Sequence, residues 1–259
     1  MNSPQVTPIL KSTTEAKDIK TITFQYPGEV HPGQFFMIWI PGVDEIPMSV
    51  SLIHGSEKGI TFRKIGEATT ALYDLKKGEN IGVRGPYGQG FTIQGKHLLF
   101  VGGGTGTAML APVVENARGK KLKSTVIIGV KTKNELFFEQ RLKQTGATVF
   151  VSTDDGSKGY KGFASDLARD IFTKGNIDSI YTCGPEPMMK TLFTMSKEKP
   201  FQASLERYMK CSLGICGQCC IGEGLRVCVE GPVFDRATLK KAEDFGVFRR
   251  DATGRKIPL

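Results

Sequence analysis

Residues 97–119 read HLLFVGGGTGTAMLAPVVENARG, an apolar run that passes through glycines into a helix-like stretch. This order predicts a strand, a tight loop and a helix. A helix N-terminus carries about half a positive charge, and its free N–H groups favour a bound anion. We interpret the loop as a pyrophosphate-binding turn, with a ligand-free turn as the alternative. The loop residues are Gly102, Gly103, Gly104, Thr105 and Gly106.

The regions on either side of this loop have two different patterns of apolar residues. Downstream, apolar strands alternate with helical patterns as far as residue 198, which predicts a parallel sheet covered on both faces. This region includes predicted helices over 134–146 and 164–175. Upstream, residues 5–85 contain short β-branched runs separated by turns, and one predicted helix over 67–78. That pattern is typical of a small antiparallel barrel or sandwich, so the chain is expected to be a multidomain β plus α/β protein.

Composition excludes several classes of protein. With 259 residues, 39% hydrophobic and 24% charged, the chain reads as globular, and no apolar run approaches a membrane span. Its net charge of +9 comes from scattered basic residues, so no nucleic-acid or membrane partner is expected. The N-terminal MNSPQVTPIL lacks the features of a signal peptide. A cytoplasmic location follows as an expectation, and reducing conditions argue against disulfides.

Five of the six cysteines lie within residues 209–230, MKCSLGICGQCCIGEGLRVCVE. Four of them have the spacing C-x4-C-x2-C-x8-C, which is typical of plant-type 2Fe-2S proteins. A zinc site and redox-sensing thiols are the alternatives, but zinc ribbons usually present two C-x2-C knuckles and this segment has one. Cys220 is expected to point elsewhere. The predicted ligands are Cys211, Cys216, Cys219 and Cys228.

Two further segments fall where parallel strands are predicted to end. Ligands of open α/β sheets bind outside the carboxyl ends of the strands. Cys183, Gly184 and Pro185 are therefore expected to face the ligand of the glycine loop, with a buried structural cysteine as the alternative. Asp154 follows another strand, where it could hold ribose hydroxyls or lie in an exposed turn.

The order of these motifs resembles the ferredoxin–NADP reductase superfamily, and within it the electron-transfer subunits of two-subunit, NAD-dependent dihydroorotate dehydrogenases. The resemblance spans nearly the whole chain, from IPMSVS and GPYGQGF through VGGGTGTA, STDDGSKGYKG and CGPEPMM to ERYMKCSLGICGQCC. It implies an FAD-binding barrel over 1–93, an NAD-binding α/β domain over 94–200 and a small 2Fe-2S module over 201–259. A further hypothesis, from its position at a strand end, is that Cys183 lies near the nicotinamide.

The resemblance also implies where FAD binds. The family's R-P-x-S flavin loop matches Ile46, Pro47, Met48 and Ser49, so the arginine is absent and Arg63 or Lys64 is expected to replace its charge. A second signature holds the FAD pyrophosphate at a helix start. Its matching residues are Arg63, Lys64, Ile65, Gly66, Ala68, Thr69 and Thr70.

The function implied is electron relay from an FMN-containing dihydroorotate dehydrogenase catalytic subunit, through the 2Fe-2S cluster and FAD, to NAD+ in UMP biosynthesis. The implied assembly is a heterotetramer with two copies of each subunit. The same three modules occur in electron-transfer subunits of cytosolic hydrogenases, sulfite reductases and ferredoxin-dependent transhydrogenases, which is the first alternative. A zinc-stabilised nucleotide-binding module is the second.

Overall fold

The computed structural model describes residues 3–259, so the first two positions of the predicted N-terminal domain and of MNSPQVTPIL lie outside it. The N-terminal part is a closed six-stranded antiparallel barrel with strand order β1-β2-β5-β4-β3-β6. Its elements are β1 (Gln5–Ala16), β2 (Ile19–Gln25), β3 (Phe35–Ile40), β4 (Asp44–His54), β5 (Glu57–Arg63), α1 (Glu67–Asp74) and β6 (Asn80–Tyr87).

Inward-facing apolar side chains hold the barrel together. Ile22, Phe24, Phe36 and Ile60 are all fully buried in its core, and Leu72 of α1 closes one side. The predicted helix over 67–78 is too long, because residue 75 already takes an extended conformation after Asp74. The predicted barrel is otherwise confirmed.

The second part is a seven-stranded sheet in the order β10-β9-β8-β7-β11-β12-β15, parallel except for β15. The predicted helix over 134–146 is wrong in extent, because Phe138 adopts φ +60° and only five residues after it are α-helical. The elements of this part are β7 (His97–Gly103), α2 (Gly106–Gly119), β8 (Lys123–Val130), α3 (Glu139–Lys143), β9 (Thr148–Thr153), β10 (Tyr160–Lys161), α4 (Ala164–Lys174), β11 (Ser179–Cys183), α5 (Glu186–Met195) and β12 (Phe201–Ser204).

The cysteine segment leaves this sheet and returns to it. It follows β12 and re-enters as β15, which pairs with β12 through Ser204 and Val233. Its buried residues share one core with the sheet, since Cys219 and Val227 belong to the same cluster as Leu99. The remaining elements are β13 (Cys220–Ile221), β14 (Leu225–Arg226), β15 (Val233–Asp235), α6 (Arg236–Lys241), β16 (Phe248–Arg250) and β17 (Lys256–Pro258).

The polar tail after residue 235 is only partly helical, because α6 is followed by the β16–β17 hairpin. The division at residues 93 and 200 stays a prediction. Among residues 3–259, no helix is long and apolar enough to cross a bilayer.

Candidate functional site

Two adjoining clefts open where the barrel meets the carboxyl ends of the parallel strands. The smaller, of about 270 Å³, lies against the barrel. The larger, of about 840 Å³, runs across the ends of the sheet strands. Arg63, Thr105, Gly106 and Glu206 line both, so a ligand in one cleft would lie next to a ligand in the other.

Three of the four predicted flavin-loop residues line the smaller cleft. Pro47, Met48 and Ser49 contribute to its wall, and Phe35 lies beside them. Ile46 does not line it, because its half-buried side chain packs against the barrel core instead. The β4 segment therefore presents one continuous surface to this cleft.

The start of α1 forms another wall of the smaller cleft. Gly66 is the N-cap residue, and the Thr69 hydroxyl accepts hydrogen bonds from the N–H groups of Ile65 and Gly66, both at 2.9 Å. Ile65 and Thr69 line the cleft. Ala68 packs against the barrel core, and the Thr70 N–H is used within the helix turn by donating to the Gly66 carbonyl at 2.8 Å.

Arg63 and Lys64, the two candidates for the missing flavin-loop arginine, point in different directions. Arg63 lines both clefts and donates to Glu135 at 2.8 Å. Lys64 lines neither cleft and pairs with Asp74 at 3.7 Å. Among the two, Arg63 is the cation placed to meet a phosphate in the clefts.

The glycine loop owes most of its glycines to protein packing. A Cβ on Gly102 would lie 2.5 Å from the Thr107 hydroxyl, and one on Gly106 would lie 2.4 Å from the Cys183 carbonyl. A Cβ on Gly103 would likewise lie 2.7 Å from the Pro185 ring. Gly104 differs, because it has φ +55° and its Cβ direction is open. The loop therefore brings β7, α2 and β11 together and leaves Gly104 facing the larger cleft.

Three helix N-termini converge on the larger cleft. Gly106 begins α2, Ala164 begins α4 and Glu186 begins α5, and all three residues line it. Their partial positive charges add at one place, which favours an anionic ligand. Lys131 and Asp154 line the same cleft at the ends of β8 and β9.

Cys183 does not line either cleft, whereas Gly184 and Pro185 line the larger one. Its side chain is fully buried in the sheet core. Burial, with the nearby Glu206 charge, raises the pKa of the Cys183 thiol well above its usual value. Cys183 is thus held as a neutral thiol behind Gly184, and its proximity to nicotinamide stays a prediction.

Glu206 lies at the junction of the two clefts, and it is not among the site residues predicted from the sequence. Its side chain reaches solvent. The protein packed around it desolvates the carboxyl and raises the pKa of Glu206. An acidic residue directly after FQASL, the segment that contains β12, was the available signal, but it could be recognised only once β12 was known to pair with β11. Arg249 and Phe163, which also line the larger cleft, had no comparable signal.

The four predicted cluster ligands come together as two pairs. The Cys211 thiol interacts with that of Cys216, and the Cys228 thiol with that of Cys219. Burial, the bond with Cys219 and its charge raise the pKa of Cys228 to about 12. Cys220 points away, with its sulfur 3.8 Å from the Gly224 carbonyl.

The loop around Cys211 is turned inward, as an iron–sulfur cluster requires. Burial disfavours its thiolate, but N–H groups of Cys216, Leu213 and Ile215 directed at the sulfur lower the pKa of Cys211 to about 6. Left-handed backbone at Ser212, Gly214 and Gly217 makes these turns. Glycine at two of these three positions adopts the left-handed backbone without steric cost.

The interior of the cluster loop fits a bound group held by its cysteines. The buried Ser212 hydroxyl lacks a hydrogen-bond partner within residues 3–259, which leaves a donor for a group held inside the loop. Across the same residues, no three His, Cys, Asp or Glu side chains converge on one point. The donor set itself, four cysteines in two interacting pairs, fits a 2Fe-2S cluster, which Cys211, Cys216, Cys219 and Cys228 would hold.

Arg84 ties the barrel to the cluster loop. Its guanidinium makes a bidentate pair with Glu45 at 2.9 and 2.6 Å, and also donates to Tyr87 at 2.9 Å and to the Cys211 carbonyl at 3.3 Å. Hydrogen bonding to Glu45 raises the pKa of Arg84 above its already high value, so its charge is permanent. The loop is thereby fixed against the barrel.

Comparisons with known proteins agree with this arrangement. Residues 100–193 match the family model described as the oxidoreductase NAD-binding domain, and residues 206–240 match the iron-sulfur cluster binding domain of dihydroorotate dehydrogenase B. A solved NADH-dependent reduced ferredoxin-NADP oxidoreductase superposes with a TM-score of 0.83 at 27% identity, covering 94% of this chain and 91% of that one. The ferredoxin–NADP reductase-like fold is therefore confirmed.

Two relatives carry the description probable dihydroorotate dehydrogenase B (NAD(+)), electron transfer subunit. The protein of Methanothermobacter thermautotrophicus is 44% identical over 100% of this chain and 98% of its own length. That of Methanocaldococcus jannaschii is 42% identical over 99% of both chains. Full-length similarity of this degree, with both family models in the expected order, shows that the chain belongs to the family of electron-transfer subunits of NAD-dependent dihydroorotate dehydrogenase B.

Proposed function

We propose that this chain relays electrons from an FMN-containing dihydroorotate dehydrogenase catalytic subunit, through a 2Fe-2S cluster and FAD, to NAD+ in UMP biosynthesis. The proposed complex contains two copies of each subunit. A cytoplasmic location is part of the proposal, because the four cluster cysteines must remain reduced to hold the cluster. When bound, the nicotinamide exchanges two electrons as hydride, the flavin converts between two- and one-electron transfer, and the cluster carries single electrons.

One observation carries this proposal: a single short segment connects the flavin cleft to the cluster loop. Leu205, Glu206, Arg207 and Met209 line the barrel-side cleft, and Cys211 follows two residues later. A cluster on Cys211 would therefore adjoin a flavin in this cleft. The shared lining of the two clefts extends the same path to a nucleotide.

The chain's own residues position the groups and exclude water. Pro47, Met48 and Ser49 would hold the flavin, while Arg63 and the N-terminus of α1 would meet its phosphates. When Arg63 binds a phosphate, it would have to break or share its contact with Glu135, because the same guanidinium makes both contacts. Gly104 and the start of α2 would hold the dinucleotide phosphates.

The loop that carries the cluster ligands supplies a surface for the catalytic subunit. Leu213 and Ile215 are 52% and 81% exposed, although both are large and apolar. They lie next to Cys211 and Cys216, so covering them would bring a partner's redox group toward the cluster. We propose that these two side chains form part of the subunit interface.

The test is NAD+ reduction by dihydroorotate, measured anaerobically with the catalytic subunit alone and with this chain added. We expect little NADH formation from the catalytic subunit alone and rapid NADH formation from the complex. No stimulation, together with good NADH-to-dye activity of this chain, would overturn the assignment of the partner.

The likeness to the NADH-dependent reduced ferredoxin-NADP oxidoreductase supports a second candidate, a subunit of a ferredoxin-dependent transhydrogenase. Its identity of 27% is well below the 44% shared with the Methanothermobacter protein. Reduction by ferredoxin, but not by dihydroorotate with the catalytic subunit, would favour this alternative.

A further inference from the structure

The C-terminal hairpin β16–β17 forms part of the wall of the larger cleft. Arg249, Pro258 and Leu259 line that cleft together with the glycine loop. The hairpin lies outside both matched ranges, 100–193 and 206–240. The nucleotide cleft is therefore completed by a segment that follows the cluster module.

A buried ion pair fixes the hairpin in this position. Glu186 and Arg207 pair with each other, and their side chains are only 5% and 2% exposed. The Glu186 carboxylate also accepts from the Gly246 N–H at 3.0 Å, and Arg207 donates to the Phe248 carbonyl at 3.5 Å. Glu186 begins α5 at the cleft, so the hairpin is anchored directly to the nucleotide site.

Arg249 brings an uncommitted positive charge to this wall. It is exposed, and within residues 3–259 no carboxylate forms a salt bridge with it. The adjacent Arg250 differs, because its guanidinium donates to the Gly254 carbonyl at 3.0 Å within the hairpin. An unpaired guanidinium on a cleft lined by three helix N-termini is suited to a phosphate.

The sheet order decides which end of a dinucleotide Arg249 faces. Lys131 and Asp154 lie at the ends of β8 and β9, on one side of the glycine loop. Glu206 follows β12, on the other side of the loop, where the larger cleft joins the flavin cleft. Hydride exchange requires the nicotinamide at that junction, so the nicotinamide half of the ligand runs toward the hairpin.

Resting on the proposed function that the chain exchanges electrons with NAD, we propose that Arg249 binds the phosphate on the nicotinamide side of the dinucleotide. The hairpin is then a binding element of the nucleotide site as well as an attachment of the tail. Charge-assisted hydrogen bonds of this kind are stronger than neutral ones, and partial exposure weakens them.

The test compares Arg249→Ala with Arg255→Ala in the full chain loaded anaerobically with FAD and cluster. Arg255 lies on the same hairpin but outside the cleft, so its removal changes the net charge equally. Calorimetry would measure binding of NAD+, of ADP-ribose, which retains both phosphates, and of AMP, which retains only the adenosine-side phosphate. Flavin and cluster absorbance would verify loading of each variant.

We expect Arg249→Ala to weaken NAD+ and ADP-ribose binding by roughly 5- to 30-fold and to change AMP binding by less than about twofold. Arg255→Ala should leave all three unchanged, and Arg249→Lys should recover part of the loss. Equal behaviour of the Arg249 and Arg255 variants would overturn the inference, as would an equal loss for AMP. A fully loaded wild-type chain that fails to bind NAD+ would instead refute the proposed function.

Discussion

The cluster loop and the nucleotide cleft are built in opposite ways. All four proposed cluster ligands come from residues 211–228, and the loop's own backbone N–H groups surround Cys211. The larger cleft instead collects side chains from the barrel, from several parallel strands and from the C-terminal hairpin. Short-range spacing therefore specifies the first site, whereas the second exists only once distant segments have packed together. We therefore expect substitution of a cluster ligand to abolish cluster binding, whereas substitutions in the cleft should weaken ligand binding by degrees.

The largest effect is expected from the cluster loop, where adjacent cysteines can be compared. Cys219→Ser should abolish the cluster absorbance and its bound iron, because a buried ligand of the proposed cluster is lost. Cys220→Ser should retain both, since its sulfur points to the Gly224 carbonyl. Iron and labile-sulfide analysis after anaerobic reconstitution measures this difference. An equal loss of iron and sulfide from both variants would show that Cys219 and Cys220 do not differ in their role at the cluster.

Next in size is the buried pair that anchors the hairpin to the cleft. Glu186→Gln leaves the Arg207 charge buried without its partner, which should lower the free energy of unfolding by about 3 kcal/mol or more. Denaturant unfolding of the loaded chain measures it.

The matched control is the exposed pair between Asp166 and Arg169, whose side chains are 40% and 56% exposed. Asp166→Asn should change the free energy of unfolding by less than about 1 kcal/mol. If the two substitutions cost the same, the Glu186 pair does not anchor the hairpin.

A graded effect is expected at the barrel wall of the clefts. Arg63→Ala should weaken FAD retention by roughly tenfold, because this guanidinium reaches both clefts. Lys64→Ala removes the same charge one residue later, outside the clefts, and should change retention less than about twofold. Flavin release during dilution, followed by fluorescence, distinguishes them. The opposite ranking would assign the phosphate contact to Lys64.

The smallest effect concerns pH. The protein packed around the carboxyl raises the pKa of Glu206 above its ordinary value of 4.5, although the side chain reaches solvent, so the folded protein binds this proton more tightly than the unfolded chain does. The resulting stabilisation is full below pH 4.5 and is lost as the pH rises through the folded-state pKa. Glu206→Gln should remove this pH dependence, so its stability relative to wild type should increase over that interval. Unfolding curves across pH, recorded without NAD, measure the trend; a constant difference would contradict it.

The same contrast explains what could be predicted from sequence. The cysteine spacing and the Gly102–Gly106 loop are local patterns, and within each of these two sets the residues lie close to one another. By contrast, Glu206 and Arg249 enter the cleft through the pairing of β12 with β11 and through the Glu186 anchor, neither of which has a short-range signal. Local reasoning also overestimated the helix over 134–146, because burial of Phe137 and Leu142 accompanies a left-handed turn at Phe138.

The glycines illustrate a second limit of sequence reasoning. The pattern at residues 102–106 predicts a pyrophosphate-binding turn, in which glycine would leave room for a phosphate. In the structure, Gly102, Gly103 and Gly106 are small because neighbouring protein atoms occupy the space of a Cβ, and Gly104 alone among these faces open space. A motif can thus predict where a loop lies, while packing against neighbouring protein atoms accounts for most of its glycines.

We infer that one continuous electron path links the nucleotide cleft to the cluster loop within this chain. Its most direct test is to add NADH anaerobically to the loaded protein, without any partner, and to record flavin absorbance and the electron paramagnetic resonance signal of the cluster. We expect flavin bleaching together with a reduced-cluster signal in the wild type, and flavin bleaching alone in Cys219→Ser. If the flavin bleaches in the wild type while an intact cluster, one that dithionite can reduce, stays oxidised, no such path connects the two sites.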